Sequence, residues 1–321
     1  MTRKIEISSK TIVFTVFFLL GLWFLYQVRT MLVMLLISFI LMTAINPIVR
    51  RTRRLRIPTA LTVIFFYAIL IAIMSGSVAS LIPAVTSQTK GLTTQIPKIL
   101  GEIESLFNLR IDPASLTPQF SSVPSNILKI AVGTFSNLLN IMAIFFMTYY
   151  MIQERDNLHR YLVRFFGNSS AERKAEKLVN DLELRIGGWI RGEIALMLVI
   201  GTLTYIGLLL LNIPYALPLA VLAGILELVP NIGPTLAAIP AILMGLTVSP
   251  VTALGALALS ILVQQLENNI IVPQVMKKAV GTKPLTTIIV LFTGLTLGGV
   301  MGAILAMPIY LMLETVFTHL E

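Results

Sequence analysis

Cysteine is absent from the 321 residues, which excludes disulfides, thiol catalysis and thiolate metal ligation and leaves the redox compartment unread. Histidine occurs twice, at His159 and His319, both outside the apolar runs. Of the three aspartates, Asp112, Asp156 and Asp181, none lies within such a run, so an intramembrane aspartyl dyad is excluded. Without a His, Cys or Asp cluster no metal site is expected, and no GxSxG, Walker or HExxH pattern points to an enzyme or a cofactor. Charge is scarce as well. Charged residues make up 12% of the chain, against about 25% in soluble domains.

What is there instead is apolar length. Hydrophobic residues are 56% of the chain, and runs able to cross a hydrocarbon core of about 30 Å, which takes roughly 20 helical residues, recur from Thr11 to Pro308. The fold class is therefore an all-α polytopic membrane protein. Residues 11–28 follow Arg3, Lys4 and Lys10 like a secretion signal, but no small-residue cleavage site comes next, so they are read as the first span. Residues 30–49 form the second span and end in Arg50, Arg51, Arg53, Arg54 and Arg56; the third span follows from Pro58 to about Ile82 and the fourth covers about 130–152. A basic cluster between two spans marks the cytoplasmic side. With the N-terminus, 50–56, 153–192 and 267–283 inside, 19 of the 24 lysines and arginines are cytoplasmic. The net charge of +9 is thus a topology signal and an attraction to the lipid bilayer rather than a nucleic-acid surface. A multi-pass plasma-membrane protein with a cytoplasmic N-terminus is the expectation.

Two segments lie off the membrane. In the outer one, 84–128, Pro97 stands at a first helical position and Ile99, Leu100, Ile103 and Leu106 share one side, as in a helix lying on the outer surface or a lid over the pathway. In the inner one, 153–192, Ser169 and Glu172 fit a capping box, and Ala175, Leu178, Leu182 and Ile186 recur at helical spacing. Its apolar face is expected on the bilayer or a neighbouring subunit, with a regulatory role as the other reading.

The C-terminal half is apolar but broken. Pro218, Pro230, Pro234, Pro240, Pro273, Pro284 and Pro308 interrupt it, with Gly233, Gly298, Gly299 and Gly302. Broken backbone in lipid must be buried in protein or line a wet cavity. After a fifth span at about 194–212, residues 215–229 and the arm ending near Leu246 each reach only about 22 Å at 1.5 Å per residue, which fits a re-entrant hairpin better than two crossings. A span at 250–270 and a second break at Gly298, Gly299 and Pro308 follow. Offsetting the two runs by 68 residues lays Pro240 on Pro308, Ala238 on Ala306, Leu236 on Ile304 and Pro230 on Gly298. That predicts about eight membrane segments with two broken hairpins in an inverted repeat, as in alternating-access carriers. Against it, Gly294, Gly298, Gly302 and Ala306 recur every fourth residue, as in one continuous packed helix.

Polar groups at membrane depth are few: Glu227 and Asn231 beside the first break, and Gln264, Gln265, Glu267, Asn268 and Asn269 near the end of the inward span. Spacing places Gln264, Glu267 and Asn268 on one helical face. Intramembrane carboxylates mark ion or substrate paths, which makes Glu227 and Glu267 candidates to carry a proton or sodium ion. The plainer readings put Glu227 at headgroup level and pair Glu267 with Lys277 or Lys278 at the cytoplasmic rim.

GILELVPNIGPTLAAIPA, LENNIIVPQVMKKAVGTKPL and GGVMGAILAMP together resemble the autoinducer-2 exporter family. The resemblance implies a homo-oligomer, a pentamer being one form, and transport either of the quorum-sensing furanone or of sodium or lithium against protons. It carries over to Glu227, Pro230, Gly233 and Pro234, and to Glu267, Asn269 and Pro273. The transport path is read as these with Asn231, Gln264, Asn268, Gly298 and Gly299. The expected division is a scaffold at 1–152, a cytoplasmic segment at 153–192 and a transport core at 193–321. The expected activity is export of a small polar solute such as autoinducer-2, with sodium(lithium)/proton antiport second and a non-transporting membrane scaffold as the alternative of another class.

Overall fold

A computed structural model describes residues 9–73, 75, 76, 79, 138–166, 171–229, 232–279, 281 and 284–320, and these are helical almost throughout, with no strand among them. The outer segment at 84–128, the capping serine Ser169, and Pro230 and Asn231 lie outside the described residues. The helices are α1 (Ser9–Gln27), α2 (Arg29–Arg54), α3 (Thr59–Ile73) and α4 (Leu138–Glu154), then a 3₁₀ turn (Arg155–Asn157) and α5 (Leu158–Phe166). After them come α6 (Ala171–Leu210), α7 (Ala216–Leu226), α8 (Ile232–Leu246), α9 (Pro250–Leu266), a π turn (Glu267–Ile271), α10 (Val272–Ala279) and α11 (Pro284–Leu320). Counting each hairpin once, the apolar segments among the described residues are α1 to α4, the second half of α6, α7 with α8, α9, and α11, in keeping with the eight expected.

Helix α6 organises the molecule. Its 40 residues contain no proline, and glycine inside a helix costs only about 1 kcal/mol, so the helix runs unbroken for roughly 60 Å. The expected inner helix and the fifth span are therefore one element. Ala175, Leu178, Leu182 and Ile186 are buried within the chain rather than turned to lipid or another subunit. Ile186 packs with Trp189, Ile40 of α2 and Leu305 and Leu311 of α11. Helix α6 also touches α5, α7, α9 and α10.

α6 ends where the chain must turn back. Asn212 takes φ 53°, and the N–H groups of Asn212 and Ile213 donate to the carbonyls of Leu209 and Leu208 at 3.0 Å each, capping the last turn. α7 then returns along α6 at small-residue distance: a Cβ on Gly224 would stand 2.7 Å from the Met197 carbonyl, and one on Gly201 would stand 3.2 Å from that of Ala220. The C-terminal ends of α6 and α8 and the N-terminal ends of α7 and α9 close over Leu208, Leu219, Met244 and Ala256. Among the N-terminal helices, Met42, Ile45, Val63 and Tyr67 form a separate core.

Several prolines of the C-terminal half mark helix starts rather than breaks. Pro218, Pro234, Pro250 and Pro284 stand in first turns, where the missing N–H is not needed, and Pro273 follows the π turn within the continuous helical run from Pro250 to Met276. Pro240 and Pro308 lie inside α8 and α11, so the break expected at Pro308 does not occur. Each leaves without its usual partner the carbonyl four residues earlier, Leu236 and Ile304, the pair that the 68-residue offset also matches.

The break in α11 is at Gly299, with φ 60° and ψ −147°. Taken end to end, Leu285–His319 is long enough to cross a membrane. Yet Gly294 and Gly302, which a straight helix would hold about 12 Å apart, lie in backbone contact, and Ala306 Cβ would be 2.6 Å from a Cβ on Gly294. α11 is a hairpin. The small-residue stripe that argued for a continuous helix instead lets its two arms close on each other.

Candidate functional site

The turn between α7 and α8 carries Glu227 into the protein. Because α7 runs antiparallel to α6 through the Gly224 and Gly201 contacts, three residues beyond Gly224 brings Glu227 level with Glu193. Residue 233 must be glycine for this turn to close, since a Cβ there would overlap the Leu226 carbonyl. Gly233 and Pro234 are buried behind the tip. From the other side α9 delivers Glu267, at the point where the α-helix gives way to a π turn. Such turns insert a residue and re-aim side chains, often at functional sites.

Three carboxyl groups thus meet inside the chain. Glu193, Glu227 and Glu267 are 1%, 0% and 1% exposed. The carboxyls of Glu227 and Glu267 lie within hydrogen-bonding reach of each other, and Glu193 within electrostatic reach of both. Neither oxygen of Glu193 or Glu227, nor Oε2 of Glu267, is given a hydrogen bond by a donor group among the described residues.

This is the opposite of how the chain treats its acids elsewhere. Glu183 receives Arg155 at 2.6 and 2.7 Å, Arg50 at 3.7 Å and the amide of Asn46. Glu314 receives Arg185 at 2.6 Å, and Asp181 faces His319 at 3.1 Å. These are rim pairs that tie α6 to α2, the 3₁₀ turn and the end of α11. Among the described salt bridges none reaches the three buried glutamates. Burying an unpaired charge is costly, so such acids persist only by holding protons or an incoming cation.

The expected path residues divide. Glu227, Glu267, Gly233 and Pro234 surround the buried cluster, and Gln264 is half-buried one turn before Glu267. Asn268, Asn269 and Pro273 are exposed, Asn269 donating to the carbonyl and side chain of Gln265 at 3.0 Å, so the face predicted to join Gln264, Glu267 and Asn268 is split. The π turn is the reason: it departs from the 3.6-residue period on which that prediction rested. Gly298 and Gly299 are exposed at the tip of the second hairpin. The side chains of Lys277 and Lys278 lie outside the described residues, but a solvated rim pair is incompatible with the burial of Glu267, as a headgroup position is with that of Glu227.

Glu193 went unread because the inner segment was taken to end at residue 192. The signal was present: Ile186, Trp189, Glu193, Leu196 and Ile200 recur at steps of three and four, and all are buried. Among the described residues no three His, Cys, Asp or Glu side chains are arranged to hold one metal ion together, so the cluster is not a ready chelate.

The family model for AI-2E family transporters matches residues 12–321. The proteins named "Putative transport protein" YueF and YrrI of Bacillus subtilis are 29% and 23% identical, the alignments covering 92% and 95% of this chain and 86% and 91% of theirs. A sodium-lithium/proton antiporter of Halobacillus andaensis is 25% identical over 65% of this chain and 58% of its own length. A membrane chain with two folded-back hairpins and three buried acids, matched from residue 12 onward, belongs to the AI-2E family of transporters.

Proposed function

We propose that the chain is a proton-coupled secondary transporter whose buried carboxyl cluster exchanges protons for a small monovalent cation, sodium or lithium. The observation that carries this reading is the burial of three acids with no basic partner among the described salt bridges. Protons and small cations are the occupants that relieve such a site, whereas an uncharged solute leaves its charge unchanged. Similarity to the Halobacillus antiporter supports the same choice. In this reading Glu227 and Glu267 face the ion, and the two hairpins enter from opposite sides, the first from outside and the second from the cytoplasm. The arginine-rich turn after α2 then faces the cytoplasm with the N-terminus, in the plasma membrane. Helix α1, apolar and exposed all round, faces lipid or neighbouring copies in a homo-oligomer.

Export of a small polar solute such as autoinducer-2, driven by the same protons, is the second reading, supported by the family to which the chain belongs. Purified protein in liposomes with an imposed pH gradient separates the two. Sodium or lithium flux that collapses the gradient is expected. Solute flux without cation flux would favour export, and movement of neither would leave a non-transporting scaffold.

A further inference from the structure

We propose that Glu193 is the acid whose proton is exchanged in each turnover, a role that rests on the proton-coupled reading above. Glu227 and Glu267 lie within hydrogen-bonding reach of each other, so a proton between them is held by the bond. Glu193 has no such partner. Both its oxygens are without a hydrogen bond, it is 1% exposed, and it lies within electrostatic reach of Glu267 and Glu227.

A purely architectural role does not account for this. Where α6 uses an acid to hold neighbours it gives that acid a base, as Glu183 has Arg155. Glu193 instead interrupts an apolar stripe formed by Ile186, Trp189, Leu196 and Ile200, where leucine would pack without any charge to neutralise. The flanking elements differ as well. Glu227 sits on a hairpin turn and Glu267 in a π turn, but Glu193 stands on an unbroken helix tied at its inner end to α2, the 3₁₀ turn and α11.

Charge balance fixes the step. With three acids and no base among the described salt bridges, the cluster is neutral when every carboxyl is protonated, and it stays neutral if one O–H proton leaves as one monovalent cation arrives. The O–H bond of Glu193 breaks and the proton passes to water. The cation settles against the carboxylate left behind. Departure of the cation reverses the step, giving one-for-one, electroneutral exchange.

Proton release on adding sodium or lithium to purified protein in weakly buffered detergent tests this, alongside difference infrared spectra between acid and alkaline pH, in which buried carboxylic acids show a carbonyl band. Wild type should release protons and lose part of that band at alkaline pH. E193Q should release at least about tenfold less at equal cation, a loss of about 1.4 kcal/mol in coupling, while E183Q, altered at the rim pair, should release as wild type does. If E193Q fails to fold, E193D decides: release that persists with a displaced pH profile supports the proposal, and an unchanged profile overturns it. Folded E193Q that releases as many protons as wild type also overturns it. If wild type releases none with either cation, the exchange reading falls, and the infrared band still judges Glu193: a titrating band lost in E193Q keeps it as a proton site, and an unaltered band removes it.

Discussion

Gly294 and Gly302 touch backbone to backbone across the fold in α11, so neither position has room for a side chain. This contact turns what is long enough for one crossing into a hairpin. It also sets the first test. Gly294→Ala and Gly302→Ala should each destabilise the protein by about 1–3 kcal/mol, the usual cost of forcing atoms into a packed contact, and should impair transport. Gly298→Ala, where a Cβ meets nothing within 4 Å, should change the unfolding midpoint in detergent little. Equal effects at all three positions would show that the arms do not close there.

Gly299 is a different case, because the difficulty is conformational. At φ 60° and ψ −147° only glycine is at ease, although space around it is open. Gly299→Ala should cost about 1–3 kcal/mol of backbone strain and shift the hairpin rather than crowd it. Thermal unfolding compared with Gly298→Ala measures the difference.

Replacing Glu227 or Glu267 by glutamine removes an acid but keeps its shape. Cation–proton exchange in liposomes should fall by at least about tenfold, roughly 1.4 kcal/mol of lost interaction, in either variant. In wild type exchange should fade as pH drops, because a cluster holding all its protons has no negative charge to offer a cation, and it should rise as protons leave. Full activity with unchanged pH dependence in both variants would remove these residues from the path.

The rim pairs should behave in the reverse manner. Glu183→Gln gives up the charge that draws Arg155 and Arg50 to α6, and hydrogen bonds to charged groups contribute about 1.5–3 kcal/mol. A lower unfolding midpoint with an unaltered pH profile is expected, measured on the same preparations. A displaced pH profile would mean that the charge on this rim reaches the buried cluster.

Gly233→Ala probes the tip that carries Glu227. A Cβ there would overlap the Leu226 carbonyl, so the turn must open by about the width of a methyl group. Transport should be lost even where the protein remains folded, since buried binding groups tolerate displacements of only about 0.5 Å. Retained transport would place the working end of the site elsewhere.

Membrane residence, the run of crossing segments and the presence of two broken regions were readable directly, because apolar length and the scarcity of charge are properties of local composition. Glu227 and Glu267 were readable as well, each being an acid in an apolar neighbourhood. Local pattern misled where a residue's outcome depends on what lies across from it. Pro308 looked like a break and is accommodated within a helix, whereas the stripe through Gly294 and Gly302 looked like a rod and folds back.

Chain order and hydropathy sufficed for the class of molecule, since water and lipid sort residues by polarity one at a time. Which acids meet was settled by packing. Glu193 reaches Glu227 because glycines bring α6 and α7 together, and Asn268 turns away from Glu267 because a π turn departs from the helical period. Residues 34 and 74 positions apart in the chain become one electrostatic unit only when helices of low side-chain bulk close around them, and nothing in a one-dimensional pattern encodes that distance.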